Sequence, residues 1–190
     1  MKKLIKLAKG AYVIGAFFLS LVLLAITLPV AGTYFFIDGN FTAIVPWALI
    51  IITATVAYSA YFIYKATEAK IRRTVESYTC ANFQPNTNIQ VIQALEGKYI
   101  GIDDKNGTVL MVSIYDKNEA IGIDFSDIIG YECVGNKLTL SIKDLTDSTF
   151  TISGAKSFSY KLDILFTPSY QPKVKTKNIF SEFVQKKALA

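Results

Sequence analysis

Histidine is absent from this 190-residue chain, and cysteine occurs only at Cys80 and Cys133. Histidine is the commonest metal ligand and the commonest general acid or base in proteins, so its absence excludes histidine-dependent hydrolases and most zinc sites. The two cysteines are not spaced as a Cys-x-x-Cys pair. Cys133 lies inside a predicted strand and is expected to be a small core residue rather than a nucleophile. Only carboxylate, lysine, tyrosine or cysteine chemistry stays open. Since the sequence also shows no nucleotide, metal or nucleophile motif, we expect no bound metal, no cofactor and no enzymatic activity.

Arginine is missing from the whole C-terminal part of the chain. From Ala81 to Ala190 the sequence contains twelve lysines and twelve acidic residues, so this part is formally neutral. The net charge of +5 therefore arises from basic residues nearer the N-terminus. Without guanidinium groups, the C-terminal part also lacks the bidentate donors that contact guanine and phosphate, which argues against nucleic-acid binding.

Charged side chains are also missing from two long apolar runs, Gly10 to Ile37 and Phe41 to Tyr64. Each run exceeds the roughly 20 residues that a helix needs to cross a hydrocarbon core of about 30 Å. A segment in lipid must satisfy its backbone hydrogen bonds internally, so the runs predict transmembrane helices over 11–37 and 41–64. The intervening Asp38-Gly39-Asn40 has the composition of a turn. Residues 1–64 are thus predicted to be a short tail and a transmembrane hairpin.

Basic residues flank both predicted spans, and the loop between the spans carries only Asp38. They are Lys2, Lys3, Lys6 and Lys9 before the first span and Lys65, Lys70, Arg72 and Arg73 after the second. By the positive-inside rule, the N-terminus and the C-terminal part are both expected in the cytoplasm. The alternative is a cleaved signal peptide ending at Val30-Ala31-Gly32, which the length of the first run disfavours. Ala16-x-x-x-Ser20 and Thr53-x-x-x-Ala57 offer small-residue faces for close helix packing.

Three segments are predicted after the hairpin. Residues 65–80 continue the second helix into the cytoplasm, and residues 81–96 are a linker rich in turn formers. Residues 97–190 form a separate β domain. The apolar positions of the helical continuation recur at helical spacing, at Ile71, Val75 and Tyr78. This stripe packs either against the β domain or against the same helix of another copy, and the sequence does not distinguish the two.

From Gly97 onward apolar residues alternate with a period of two, and turn residues separate the runs, as in small barrels and sandwiches. Seven strands are predicted, near residues 97–103, 109–115, 121–125, 128–134, 138–142, 150–152 and 162–166. Asn178 is a fair N-cap for an amphipathic helix at the C-terminus. The predicted fold is therefore a membrane-embedded α-helical hairpin followed by an all-β or α+β domain, a seven-stranded antiparallel barrel or sandwich with a C-terminal capping helix.

Two stretches of this domain resemble the sequence pattern of bacterial PH-like (pleckstrin-homology-like) domains. They are Gly97-Lys98-Tyr99-Ile100-Gly101-Ile102-Asp103 and Phe125-Ser126-Asp127-Ile128-Ile129-Gly130-Tyr131-Glu132. Such domains occur in uncharacterised, often membrane-attached bacterial proteins, and the resemblance covers roughly half of the chain. It implies a scaffold or protein-interaction module, although a shared fold does not transfer a function. The clustered basic residues that a phosphoinositide pocket would need are missing from the first hairpin turn.

Two acidic constellations are expected to be structural. Asp103-Asp104-Lys105-Asn106-Gly107 lacks the ligand spacing and the distal glutamate of a calcium loop, so it is predicted to be a hairpin turn. Asp124, Asp127 and Glu132 lie close together in sequence, but neither a histidine nor a metal motif accompanies them. These three residues are expected to be surface turn residues rather than an acid-base pair.

We expect a multi-pass protein of the bacterial inner membrane whose cytoplasmic PH-like domain serves as a protein-interaction or self-association module without catalysis. Its expected partners are the lipid bilayer and either another protein or a second copy, with neither nucleic acid nor metal. Peripheral lipid sensing is one alternative, because clustered lysines attract anionic lipid. The candidate lipid contacts are Lys173, Lys175, Lys177, Lys186 and Lys187. A further alternative is a small subunit of a membrane transport or defence assembly.

Overall fold

The computed structural model describes residues 2–116, 120–143 and 149–189. The chain separates into two compact units, one comprising residues 3–66 and the other beginning at Thr67. The turns that the sequence predicts around 117–119 and 144–148 lie outside the described residues.

Two long helices form the N-terminal part of the chain. Helix α1 spans Lys2–Gly32 and continues as one π-helical turn, Thr33–Ile37, while helix α2 spans Ile44–Tyr78. Pro29 lies inside α1, and the Thr33 hydroxyl donates a hydrogen bond to the Pro29 carbonyl at 3.0 Å. Helix α2 begins three residues later than the start predicted at residue 41, because Phe41 and Thr42 belong to the turn.

Both helices are long and apolar enough to cross a membrane. The candidate spans are Leu7–Ile37, with a mean hydropathy of 2.6, and Ile44–Tyr78, with a mean hydropathy of 1.7 in its most apolar window. Only 11% of each window is buried inside the protein, so most of this apolar surface is exposed. The length, composition and exposure of these two helices are compatible with membrane insertion.

Small and hydroxylated side chains join the two helices within the first unit. The Tyr12 hydroxyl lies 2.8 Å from the Ser59 hydroxyl, and the Thr27 and Thr53 hydroxyls are 3.1 Å apart. Ala16 is also buried here. Two of the predicted small-residue positions, Ala16 and Thr53, therefore take part in this packing, as expected where small side chains let two helices approach closely.

The second unit contains seven antiparallel strands in two sheets. The strands are β1 (Gln90–Gln93), β2 (Lys98–Asp103), β3 (Thr108–Ser113), β4 (Ala120–Asp124), β5 (Ile128–Val134), β6 (Lys137–Ile142) and β7 (Thr149–Ser153). The first sheet has the order β1-β2-β3-β4, and the second has the order β5-β6-β7. Among the described strands, backbone pairing joins neither β4 to β5 nor β7 to β1, so the two sheets form an open pair and not a closed barrel.

Helices α3 (Lys156–Phe166) and α4 (Ile179–Leu189) follow the strands. Two sequence-based expectations differ from this arrangement. The last predicted strand, 162–166, is wrong, because those residues form the second half of α3. The stretch 81–96, predicted to be a linker, contains strand β1. The predicted and observed totals are both seven only because β1 was missed while part of α3 was predicted to be a strand.

An inner core fills the space between the two sheets and α3. Its buried residues include Ile100, Ile102, Val109, Met111 and Ile123 of the first sheet, Leu138, Leu140, Phe150 and Ile152 of the second, and Phe158 and Leu162 of α3. Helix α3 directly follows β7 and packs on this core. The helix that closes the sheet pair is thus α3, whereas the sequence assigned this role to the helix at the C-terminus.

An outer core lies on the opposite face of the first sheet. The end of α2 supplies Ile71, Val75 and Tyr78 to it, and α4 supplies Phe180 and Val184. These side chains cover residues of β2, β3 and β4, namely Tyr99, Leu110, Val112 and Ala120. The first sheet is therefore buried on both faces, which explains the unbroken apolar run Val109-Leu110-Met111-Val112 in β3. The helical stripe predicted at residues 71–78 packs against the domain.

Close approach of α4 to the first sheet depends on a residue without a side chain. A Cβ atom added to Gly122 in β4 would lie 2.6 Å from Val184 and 2.9 Å from Phe180. The Phe180 ring in turn stacks on Phe83, with ring centroids 4.9 Å apart. Phe83 is fully buried, so the chain after α2 is anchored to the outer core.

Candidate functional site

The turn between β2 and β3 is built around a buried carboxylate. Asp103 Oδ1 accepts hydrogen bonds from the backbone N–H groups of Lys105 and Asn106 at 2.9 and 3.0 Å. Its Oδ2 accepts from the Gln84 N–H at 2.8 Å and from Asn106 Nδ2 at 2.6 Å. All four donors are N–H groups, so this carboxylate organises a hairpin turn, as the sequence predicts. Within the described residues, no cluster of His, Cys, Asp and Glu is arranged to hold a metal ion.

Residues 171–178, called the strap below, run across this hairpin turn before α4 begins. The Lys175 N–H lies 3.4 Å from the Asn106 carbonyl. Gly107, which has a φ of +68°, lies so close to the strap that a Cβ atom there would be 2.8 Å from the backbone nitrogen of Val174. At its far end the Asn178 N–H donates to Asp124 Oδ2 at 3.0 Å. The strap is therefore held at its middle and at its end.

Lysine side chains occupy one side of the strap. Pro172 is buried and Val174 is half-buried, whereas Lys173 and Lys175 are exposed. This alternation places the two lysines on the outer side of the segment, since successive residues of an extended chain point in opposite directions. Lys177 is exposed as well, and the hairpin turn beneath the strap adds the exposed Lys105.

We call Lys105, Lys173, Lys175 and Lys177 the lysine patch. Three of these residues are candidate lipid contacts from the sequence, and the structure adds Lys105 to them. Sequence reasoning missed Lys105 because almost 70 residues separate it from the strap. The only signal for it in the sequence was the glycine at Gly107, which marks a place where another backbone segment can approach closely.

The other two candidate lipid contacts lie on α4. Lys186 is exposed. Lys187 Nζ donates a hydrogen bond to the Ser77 carbonyl in the last turn of α2, and it lies 5.4 Å and 5.7 Å from the ring centroids of Tyr78 and Phe183. A cation at the C-terminus of a helix is stabilised by the helix dipole, and aromatic faces attract it further. The geometry therefore gives Lys187 contacts within the protein.

Asp124 lies at the junction of β4, the strap and α4, and only 2% of it is exposed. Its Oδ2 accepts from Asn178, while its own N–H donates to Asp127 Oδ2 at 3.2 Å. Its Oδ1 has no hydrogen-bond partner among the described residues. Burial raises the pKa of this carboxyl above its ordinary value, although the Asn178 N–H and Lys177 oppose that rise. The expectation that Asp124 is a surface turn residue is therefore wrong.

A shallow groove of about 140 Å³ lies between the end of α2 and the β1–β2 pair. The Tyr99 hydroxyl at its base donates to Gln90 Oε1 at 3.2 Å, and burial raises the pKa of this phenol. At its rim, Arg72 pairs with Glu68, with Nη2 2.8 Å from Oε1. These polar groups of the groove are already bonded to neighbouring protein groups, so we propose neither a catalytic nor a ligand-binding role for the groove.

One edge of the second sheet carries exposed apolar side chains. Strand β5 pairs only with β6 among the described strands, so its other edge is unpaired. Ile129 is 69% exposed and Val134 is 66% exposed, while Glu132 between them is also exposed. Tyr131 points to the other side, where its hydroxyl donates to Asp163 Oδ1, and burial together with Asp163 raises its pKa to about 12. Cys133 is half-buried against the inner core, in line with its expected role as a core residue.

The residues that predict membrane topology are placed as follows. Lys9, Lys65, Lys70, Arg72 and Arg73 are all exposed. Lys2, Lys3 and Lys6 belong to the first turns of α1, and their side chains lie outside the described part of the structure. This distribution of positive charge is compatible with the predicted orientation.

Comparison with known proteins gives no match to a family model, a curated protein or a solved structure. The class of the protein is therefore defined by its own architecture: two long apolar helices, then a domain of two antiparallel sheets with a helix at its C-terminus.

Proposed function

We propose that this chain is a non-catalytic protein of the bacterial inner membrane whose cytoplasmic PH-like domain binds a partner protein. The observation that carries the proposal is the edge of β5 to which no described strand pairs, with its exposed Ile129 and Val134. An unpaired strand presents a row of backbone donors and acceptors to which an extended segment of another chain can add.

The chemistry of this edge describes the partner. Ile129 and Val134 favour apolar side chains, since exposed branched residues gain free energy when a partner removes them from water. Glu132 between them favours a lysine or arginine opposite it, because opposite charges stabilise cross-strand pairs and like charges destabilise them. Self-pairing of two β5 strands centred on this position would place two Glu132 carboxylates against each other. We therefore favour a partner of different sequence over a second copy.

The PH-like part of the proposal is supported by the strand orders of four and three and by α3, which follows β7 and packs on the core between the sheets. The membrane part is supported by the two exposed apolar helices, and the cytoplasmic orientation by the basic residues that flank them. The groove between the end of α2 and the β1–β2 pair is small, about 140 Å³, and its Tyr99 and Arg72 side chains are bonded to Gln90 and Glu68, which favours a binding role over catalysis.

Site-specific photocrosslinking in living cells tests this proposal. A photoreactive residue is placed at position 129 or 134 of the full-length chain, and the matched control carries it at Ile164, an exposed apolar residue on α3. We expect a discrete crosslinked product from the β5 positions that is absent from the control position. Adding Glu132→Lys should weaken the product strongly, because it reverses the charge that selects the partner.

The mass of the product distinguishes the outcomes. A product larger than the chain by the mass of another protein supports the proposal. A product of twice the chain mass would show that the β5 edge binds a second copy of this chain instead of a different protein. Equal crosslinking from positions 129, 134 and 164, or none from any of them, contradicts a binding role for the β5 edge.

A further inference from the structure

We propose that the lysine patch docks on the surface of an anionic lipid bilayer. This surface is separate from the β5 edge and does not depend on the function proposed for that edge. The patch brings together the hairpin turn after β2 and the strap before α4, two segments far apart in sequence, and it assembles four positive side chains from them.

The backbone beneath the patch is fixed by specific contacts. Lys175 N–H reaches the Asn106 carbonyl, Asn178 N–H reaches Asp124, and Gly107 admits the strap backbone at a distance that a side chain would forbid. The buried Asp103 carboxylate holds the hairpin turn itself. Only side-chain freedom is therefore lost when the lysines meet a charged surface, so the entropic cost of docking is smaller than for a flexible tail.

The charges of the patch are available to an external anion. Lys105, Lys173 and Lys175 form no ion pair within the described residues, and all four lysines are exposed. Asp104 is exposed beside Lys105 and partly offsets its charge, while Lys177 also lies near the buried Asp124. The strap itself contains three lysines and no acidic residue.

An anionic membrane surface fits these charges better than a shaped ligand pocket does. Lysine acts as a compact point charge, whereas precise recognition of a single phosphate generally uses the planar fork of arginine, which this part of the chain lacks. A lipid surface offers many diffusely distributed anions. It is also the partner that a chain with two candidate membrane spans encounters at once. Each lysine near such a surface strengthens the association about fivefold at moderate salt.

Amine-reactive footprinting of the full-length chain in lipid nanodiscs tests the proposal. One set of nanodiscs contains phosphatidylcholine alone, and the other contains phosphatidylcholine mixed with phosphatidylglycerol. The labelling rate of each lysine is read by mass spectrometry, with the exposed Lys137, Lys143 and Lys156 as internal references. We expect the patch lysines to be labelled several-fold more slowly in the anionic nanodiscs only, and high salt should remove this protection.

A pair of charge-matched variants identifies the surface. In the patch variant Lys105, Lys173 and Lys175 are changed to Gln, and in the control variant Lys137, Lys143 and Lys156 are changed to Gln. In the patch variant we expect the equilibrium constant for docking to fall by about two orders of magnitude, so that the protection of Lys177 is lost. In the control variant this protection should persist.

Three results would overturn the proposal. The first is equal labelling of the patch in the two lipid mixtures. The second is an equal loss of protection in both variants, which would show dependence on net charge and not on the patch. The third is protection that requires a copurified protein instead of anionic lipid, which would assign the patch to a protein partner.

Discussion

At the residue scale, Asp124 shows how one carboxylate can hold two segments together and still be electrostatically disfavoured. It accepts the Asn178 N–H that starts α4, at the one described non-glycine residue with a positive φ, 63°. Its Oδ1 has no partner within the described residues, and burial raises its pKa above the ordinary 3.8. Ionisation is therefore less favourable in the folded state than in the unfolded state. The protonated carboxyl of Asp124 therefore favours the folded state. Its contribution to folding stability is fully present below pH 3.8 and is lost as the pH rises through the folded-state pKa.

The first prediction concerns Asp124→Asn. Asparagine retains an oxygen that can accept the Asn178 N–H, but it does not ionise. We expect the wild-type chain to lose stability at β4 and the strap as the pH rises from about 4 towards neutrality, and we expect the variant to lack this component. Hydrogen exchange of peptides covering β4 and the strap, followed across this pH range in detergent, measures the difference.

Asp104→Asn is the control, since Asp104 is an exposed carboxyl in the neighbouring turn. Its exchange profile should follow that of the wild type. If Asp124→Asn also follows the wild type at every pH, Asp124 does not carry this pH dependence.

The second prediction compares two glycines with nearly the same backbone angle. Gly107 has a φ of +68° and faces the strap, whereas Gly135 has a φ of +62° and faces open space. Gly135→Ala should cost only the left-handed backbone strain, about 1–2 kcal/mol. Gly107→Ala should cost about 1–3 kcal/mol more, because its Cβ collides with the strap backbone. Chemical unfolding of the domain signal in detergent measures both variants, and equal losses would mean that the strap does not lie against Gly107.

At the scale of secondary-structure elements, the two departures from prediction have physical explanations. Leu162, Ile164 and Phe166 alternate as in a strand, but Phe158, Leu162 and Leu165 have the spacing of a helix face, and these are the residues that α3 buries. Tertiary packing therefore selected the helical period. Strand β1 was missed because its sequence, Gln90-Val91-Ile92-Gln93, does not alternate between apolar and polar residues; in the structure all four residues are half-buried.

Elements with stronger patterns were predictable. Strand β6 alternates between Leu138, Leu140, Ile142 and polar residues, and its structure repeats that pattern of burial. Helix α4 begins at Ile179, directly after the expected N-cap Asn178. The β5 edge and the lysine patch could not be derived in the same way. Both depend on which segments become neighbours in three dimensions, and alternation within one segment carries no information on this.

The third prediction concerns the end of α2 as part of the domain fold. Ile71 is fully buried in the outer core, on a helix that begins as a candidate membrane span. Ile71→Ala should destabilise the domain by about 2–5 kcal/mol, the usual cost of removing a large core side chain. Ile164→Ala, at a residue that is 55% exposed, should change stability by less than about 0.5 kcal/mol. Denaturant unfolding followed by far-ultraviolet circular dichroism measures the stability of both variants. If both substitutions have similarly small effects, the end of α2 is not part of the domain core.

At the scale of the whole molecule, the chain combines an exposed apolar pair of helices with a domain that has two cores. The sequence was sufficient for the first part, since the length and apolarity of an uninterrupted run are local properties. It was insufficient for the second. A single amphipathic helix was expected to close one core, but the first sheet has α3 and the second sheet on one face and α2 with α4 on the other.

The fourth prediction concerns orientation in the membrane. In a cysteine-free background, with Cys80 and Cys133 replaced by Ala, single cysteines are introduced by Asp38→Cys in the loop between the spans and by Lys143→Cys in the β domain. A membrane-impermeant maleimide should label position 38 in intact cells and position 143 only after permeabilisation.

Labelling of position 143 in intact cells would show that the β domain lies outside the cytoplasm, the opposite of the proposed orientation. Labelling of neither position before permeabilisation, with both labelled afterwards, would place the loop and the domain inside the cell and rule out two spans.

The outer core also constrains how the protein can be made. Its covering residues come from Ile71 to Tyr78 and from Phe180 and Val184, near the two ends of the second unit's sequence. During synthesis, the apolar face formed by Leu110 and Val112 therefore stays uncovered until α4, which comes much later in the chain, has also been made. A chain truncated before α4 would leave this sheet face exposed to water, and exposed apolar surface of this kind makes incompletely folded chains prone to aggregate.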